Sequence, residues 1–195
     1  MATETARRHF SKRLLRNNVP AGADTRNEAG FPMQHSEGGA RNAPEPSALA
    51  PTEAAPLRQA VGELVFETRG QGFQEITREV QDWVAQHGLQ EGLLTVFIRH
   101  TSASLVIQEN VDPDVQADML DFFRQLVVED TSLYRHSYEG PDDQPAHIRG
   151  ALTSSDLKIP MQGGRLMLGR YQGIFLFEHR TSPKTRHIAL HLLGS

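Results

Sequence analysis

The shortness of the apolar runs constrains this fold most. From about Gln59 onward, β-forming residues come in stretches of five to nine: AVGELVFET, LLTVFIRH, SLVIQE, LKIPM, RLMLG, GIFLFEH and RHIALHLLG. Gly, Pro, Asp or Ser separates them, and such runs match short strands. HIRGAL (147–152) reads as one more strand. None of the runs approaches the roughly 18 residues that a membrane span requires. Two longer segments have helical spacing instead. GFQEITREVQDWVAQHG sets Ile76, Val80, Trp83 and Val84 on one face, with Gly88 placed to end the helix. NVDPDVQADMLDFFRQLV opens with Asp112 as N-cap, Pro113 at the first helical position and Asp114 complementing the dipole. Its buried stripe is expected to be Val115, Met119, Phe122, Phe123 and Leu126. Helices scattered among short strands predict an α+β fold with an antiparallel-dominated, β-sandwich-like core and two or more flanking helices, rather than a doubly wound sheet.

Upstream the pattern fails. Residues 1–56 hold few large apolar side chains, and NEAGFPMQHSEGGARNAPEPSALAPTEAAP is rich in Gly, Ala, Pro, Glu and Ser. Such a stretch buries too little surface to offset its conformational entropy, so it reads as a disordered or weakly structured extension. The basic RRHFSKRLLR near its start admits a short helix or a targeting segment, but Glu4 and the lack of a cleavage signal favour a solvated tail. Residues 57–195 read as a single domain.

Charge and motifs narrow the function. With 20 Lys and Arg against 24 Asp and Glu, the net charge is −4, which gives no support to nucleic-acid binding. There is no cysteine, which excludes disulfides and thiolate metal sites. A cytoplasmic protein without membrane or nucleic-acid partners is the expectation. Walker, GxGxxG, GxSxG and HExxH motifs are absent.

What remains is a set of polar residues at element ends. RHTSAS supplies Arg99, His100, Thr101 and Ser102, and QENVDPD supplies Glu109, Asn110 and Asp112. The segment HSYEGPDDQPAH begins at His136 and ends at His147, with Arg149 just beyond. TSSD adds Ser154 and Ser155, and EHR adds Glu178, His179 and Arg180. Imidazoles near carboxylates suit a divalent metal, and arginine beside hydroxyls suits a phosphate. Each residue also has an ordinary role. A histidine at a strand end commonly bonds a backbone carbonyl, and Asp112 reads more readily as a cap. Asp142 and Asp143 read as solvated turn residues. His187 and His191 read as structural or interface residues. Spacing alone assigns no activity.

Three blocks go further. HTSASLVIQENVDPDVQADMLDFF, YRHSYEGPDDQPAHIRGAL and IPMQGGRLMLGRYQGIFLFEHR closely resemble the YjbQ-like family, over roughly Leu57 to Gly194. The resemblance implies a β-rich sandwich flanked by helices, a homotrimer, and a polar cleft near the subunit interface. It also implies a secondary thiamine-phosphate synthase-like activity, which joins a pyrimidine pyrophosphate to a thiazole phosphate. On this footing His100, His136 and His147 are the expected ligands of a divalent metal, zinc first. Glu109, Asp112 and Arg149 take catalytic roles. Thr101, Ser102, Arg149, Ser154, Ser155 and Glu178 hold a small phosphorylated molecule. A non-catalytic trimeric module that sequesters a metal or phosphorylated metabolite is the alternative. Three departures stand out: Arg149 for the family's Lys, GRYQG for GTWQG, and Asp156 after the serine pair.

Overall fold

The computed structural model describes residues 55–195, so the extension read over residues 1–56 lies outside the described residues but for its last two positions. The order is β1 (Arg58–Glu67), β2 (Gly72–Glu75), α1 (Thr77–Ala85), β3 (Glu91–Ile98), β4 (Ala103–Glu109), α2 (Pro113–Leu126), α3 (Asp143–Leu152), β5 (Asp156–Gln162), β6 (Arg165–Leu166), β7 (Gln172–Glu178) and β8 (Thr185–Gly194). A single 3-10 turn, Thr131–Leu133, precedes α3. All strand pairings are antiparallel. They form a five-stranded sheet, β1-β8-β3-β5-β6, and a three-stranded sheet, β2-β7-β4.

Alternation decides which face is buried. In β8, Ile188, Leu190 and Leu192 turn inward, and Leu94, Val96 and Ile98 do the same in β3. They meet Leu105, Ile174 and Leu176 of the smaller sheet and Ile76, Val80 and Val84 at α1, which makes one core. β7 is buried from Gly173 to Glu178, as its central place between β2 and β4 requires. Gly163 and Gly164, at φ +60° and +71°, supply the two left-handed residues of the tight turn between β5 and β6, where Gln162 pairs with Arg165. Among the described residues, no helix is long and apolar enough to cross a membrane.

The fold is the antiparallel α+β sandwich expected, with three corrections at element boundaries. The helical segment read from Gly72 starts later, because Gly72–Glu75 pair with β7 and the helix begins only at Thr77. RLMLG contributes a strand of only two residues. HIRGAL is not a strand: it is the bulk of α3. Pro145 falls in the first turn of that helix, where a missing N–H leaves no hydrogen bond unmade. α2 starts as read, with Asp112 Oδ1 accepting the Asp114 N–H at 2.9 Å. None of its residues is fully buried, and Phe122 is 60% exposed.

Two crossovers position everything that follows. The chain leaves the larger sheet for the smaller one through Arg99–Ser102 and returns through His179–Lys184. Ala103 pairs with Glu178, and the His179 N–H donates to the Ser102 carbonyl at 3.3 Å, so the crossovers lie side by side. α3 presses on this end closely enough that a Cβ on Gly150 would sit 3.1 Å from the Thr101 carbonyl oxygen.

Candidate metal centre

Asp143 opens α3, and His147 follows four residues later on the same face. His136 arrives from the preceding loop. Asp143 Oδ2 lies 2.7 Å from His136 Nε2 and 3.7 Å from His147 Nε2. The potential ligand atoms of all three residues lie within 4.8 Å of one another. Asp143 is 1% exposed, whereas both imidazoles remain partly open. His147 Nδ1 is 3.2 Å from the Thr101 carbonyl oxygen. A carbonyl can only accept, so Nδ1 carries the proton and the lone pair on Nε2 faces the carboxylate. Oδ2 of Asp143 has no aligned hydrogen-bond partner, the short approach of His136 included. Acceptors aimed at each other across a few ångströms repel unless a proton or a cation lies between them. Two imidazoles and one carboxylate form a donor set that suits zinc and, with open positions, other divalent first-row ions.

A buried arginine fixes this carboxylate. Arg180 Nη1 donates to Asp143 Oδ1 at 2.5 Å, Nε to Asp142 Oδ2 at 3.2 Å, and Nη2 to the Glu139 carbonyl at 2.9 Å. Asp142 also accepts the Thr181 N–H at 2.8 Å and the Thr181 hydroxyl at 2.9 Å. Burial pushes the Asp142 carboxyl up, but the Thr181 and Arg180 hydrogen bonds together hold it below its ordinary value. The two aspartates are therefore not solvated turn residues, because the arginine beneath them needs counter-charges.

Below lies a second ionic layer. Glu178, 1% exposed, takes Arg186 in a fork at 2.7 and 2.5 Å, the Thr68 hydroxyl at 2.8 Å and the Arg180 N–H at 2.9 Å. His179 is fully buried, with Nε2 2.9 Å from the Ser104 hydroxyl. Burial, then the nearby Arg149 and Arg186 charges, push its pKa down to about 3, so the ring is neutral.

The expected site residues divide into three groups. His136 and His147 meet, with Asp143 in the third ligand place. His100 is not in that cluster: its Nε2 accepts the His187 N–H at 2.8 Å, which occupies the lone pair a metal would need. Burial, then the Arg186 charge, lower its pKa. Thr101, Ser102 and Ser155 line an open cleft of about 630 Å³ with Arg99 and His100, over Phe97 and Ile98. The rest lie elsewhere or are engaged. Arg149, 2% exposed, donates to Glu129 at 3.1 Å and to the Val127 carbonyl at 2.7 Å, so it clasps the chain beyond α2. Glu178 is the buried counter-ion of Arg186. The Ser154 hydroxyl donates to the Asp156 carbonyl at 2.6 Å. Glu109 ends β4 and Asp112 follows it, roughly 20 Å from the crossover at about 3.3 Å per residue. Sequence reasoning took Asp143 for a turn residue, named Arg180 without giving it a partner, and did not single out Arg186. The Asp143–His147 spacing would have revealed the pair once the segment was read as a helix.

Comparison with known proteins agrees with this architecture. The family model described as UPF0047 protein YjbQ-like matches residues 63–195. UPF0047 protein sll1880 of Synechocystis is 51% identical over 143 residues, 73% of this chain and 97% of that protein. UPF0047 protein YjbQ of Salmonella typhimurium is 42% identical over 134 residues, 67% of this chain and 95% of its own. Among solved structures, a YjbQ/UPF0047 family protein from Clostridium acetobutylicum superposes with a TM-score of 0.61 at 33% identity. The match covers 66% of this chain and 96% of that one. With the family model spanning the described fold from within β1 to the C-terminus, the chain belongs to the YjbQ-like UPF0047 family.

Proposed function

We propose that the protein is a divalent-metal enzyme acting on a small phosphorylated molecule, with His136, Asp143 and His147 as ligands and zinc as the first ion to test. One observation carries the reading: a nearly inaccessible carboxylate oxygen without a hydrogen-bond partner faces two imidazole nitrogens, one of them in the tautomer that presents a lone pair. The carbonyl that holds His147 and the arginine that holds Asp143 are the kind of outer support metal ligands receive. Three protein ligands leave room for an outside ligand, and a bound ion would act there as a Lewis acid towards a phosphate oxygen. Asp143 is the one carboxylate in this ligand set and shares Arg180 with Asp142, so a divalent ion there would keep a net positive charge towards an anionic ligand.

The synthase reaction implied by the family resemblance is the specific case to assay. Turnover would support an enzyme, whereas stoichiometric uptake without product would support the non-catalytic module. We propose a homotrimer as the assembly. Its support is the outward face of the larger sheet, which exposes Val61, Val65, Leu93, Phe97 and Leu193. The decisive experiment is metal analysis of protein purified without a histidine tag, beside Asp143→Asn and His147→Ala. Near-stoichiometric metal that both variants lose supports the centre. A wild type that takes up no zinc, or variants that hold it unchanged, overturns it.

A further inference from the structure

We propose that the cleft at the β3–β4 crossover is an oxyanion subsite that takes a phosphate or the phosphate end of a monoester, with His100 as a neutral hydrogen-bond donor. This deepens the phosphorylated-ligand reading and does not depend on the metal. The argument is an imbalance of donors over acceptors. Arg99, His100, Thr101, Ser102 and Ser155 supply the polar lining, and no carboxylate is among them. Glu63 is the carboxylate that holds Arg99, at 2.6 Å, and it engages one of the five guanidinium N–H groups.

The tautomer of His100 is fixed by its partner. The His187 N–H can only donate, so Nε2 of His100 accepts, and a neutral ring then carries its proton on Nδ1. The hydroxyl oxygen of Ser102 accepts from Arg186 Nη2 at 3.0 Å, which leaves the Ser102 proton to donate and polarises it. Neither the Thr101 nor the Ser155 hydroxyl bonds another described residue. The neighbouring Ile98 and Arg99 N–H groups are committed to the Ser155 and His187 carbonyls, so recognition falls to side chains. A cation would find hydroxyls and no anionic ligand here. An oxyanion finds a guanidinium, an imidazole N–H and three hydroxyls, and charge-assisted hydrogen bonds are the strong ones. Thr101 also joins the two sites, because its carbonyl holds His147 while the residue itself lines the cleft.

The test is calorimetric titration of inorganic phosphate into the full chain, first stripped by chelator and then zinc-loaded. The variants are Thr101→Val/Ser155→Ala, His100→Gln and His147→Ala, each checked for folding by circular dichroism. Stripped wild type and His147→Ala are expected to bind phosphate with similar affinity. Losing two hydrogen bonds to an anion should weaken the Thr101→Val/Ser155→Ala protein by roughly tenfold or more. Binding that requires zinc and disappears with His147→Ala would place the oxyanion on the metal, which overturns the subsite and leaves the metal centre standing. Wild type that binds no phosphate, or a Thr101→Val/Ser155→Ala protein that binds it like wild type, also overturns the subsite. Phosphate binding by a protein that takes up no zinc would keep the subsite and remove the metal centre.

Discussion

Replacing Glu178 with glutamine tests whether that carboxylate faces a ligand or holds the fold. It accepts four hydrogen bonds, two of them from Arg186, and it is 1% exposed while Arg186 is 4% exposed. The amide of glutamine keeps the shape but removes the charge. Its NH₂ must also point at a donor, whether Arg186, Thr68 or the Arg180 N–H. An arginine left buried without its counter-ion costs about 3–5 kcal/mol. For about 140 ordered residues the unfolding entropy is near 0.3 kcal/mol/K, so Tm should fall by roughly 10–17 °C. Calorimetry at fixed protein concentration measures this, and Glu178→Met with Arg186→Met should recover much of the loss by removing both charges. A fall of only a degree or two would refute the reasoning and return Glu178 to the ligand.

His147→Ala should weaken zinc binding roughly a hundredfold or more while lowering Tm by only a few degrees, since it loses one hydrogen bond to the Thr101 carbonyl. Metal titration beside thermal unfolding separates the two effects. Asp142→Asn should cost about 2–3 kcal/mol, because it weakens a buried partner of Arg180 and Thr181, and urea unfolding would reveal a neutral change if this is mistaken. The pKa of His179, about 3 folded against 6.5 unfolded, makes the unfolded chain bind more protons between those values. Stability from this group is therefore complete above pH 6.5 and is lost as pH falls, by about 2 kcal/mol at pH 5. Urea unfolding at pH 7 and pH 5 checks the loss, and an imidazole carbon signal from His179 that titrates near pH 6 would contradict it. Phe97→Glu should dissociate a trimer built on the larger sheet, whereas unchanged sedimentation would move the interface elsewhere.

Much of the fold was legible because β-strands announce their faces. β8 reads RHIALHLLG, and its alternate residues Ile188, Leu190 and Leu192 are buried as a period of two demands. The Asp112–Pro113–Asp114 start of α2 was equally plain, since capping chemistry is local. The start of α1 was not. Gly72–Glu75 satisfy their backbone against β7, a partner about 100 residues away in sequence, and no local window contains that information.

The site was half legible for a related reason. His136 and His147 were identifiable as a pair by residue type, but their geometry depends on the turn between them becoming the start of a helix. Read as loop and strand, Asp142 and Asp143 are interchangeable surface acids. Read as the entry to α3, they diverge: Asp143 occupies the first turn with His147 above it, while Asp142 turns to Thr181 and the side of Arg180. Arg180 then requires both, because the charge of an arginine only 7% exposed is tolerable only among anions and carbonyls. The same logic moves His100 from metal ligand to donor. Its role is set by one N–H of β8, which approaches only because the crossover from β3 folds back beside it. Chemical type was written at each position, whereas partnership was written in which crossover lies against which.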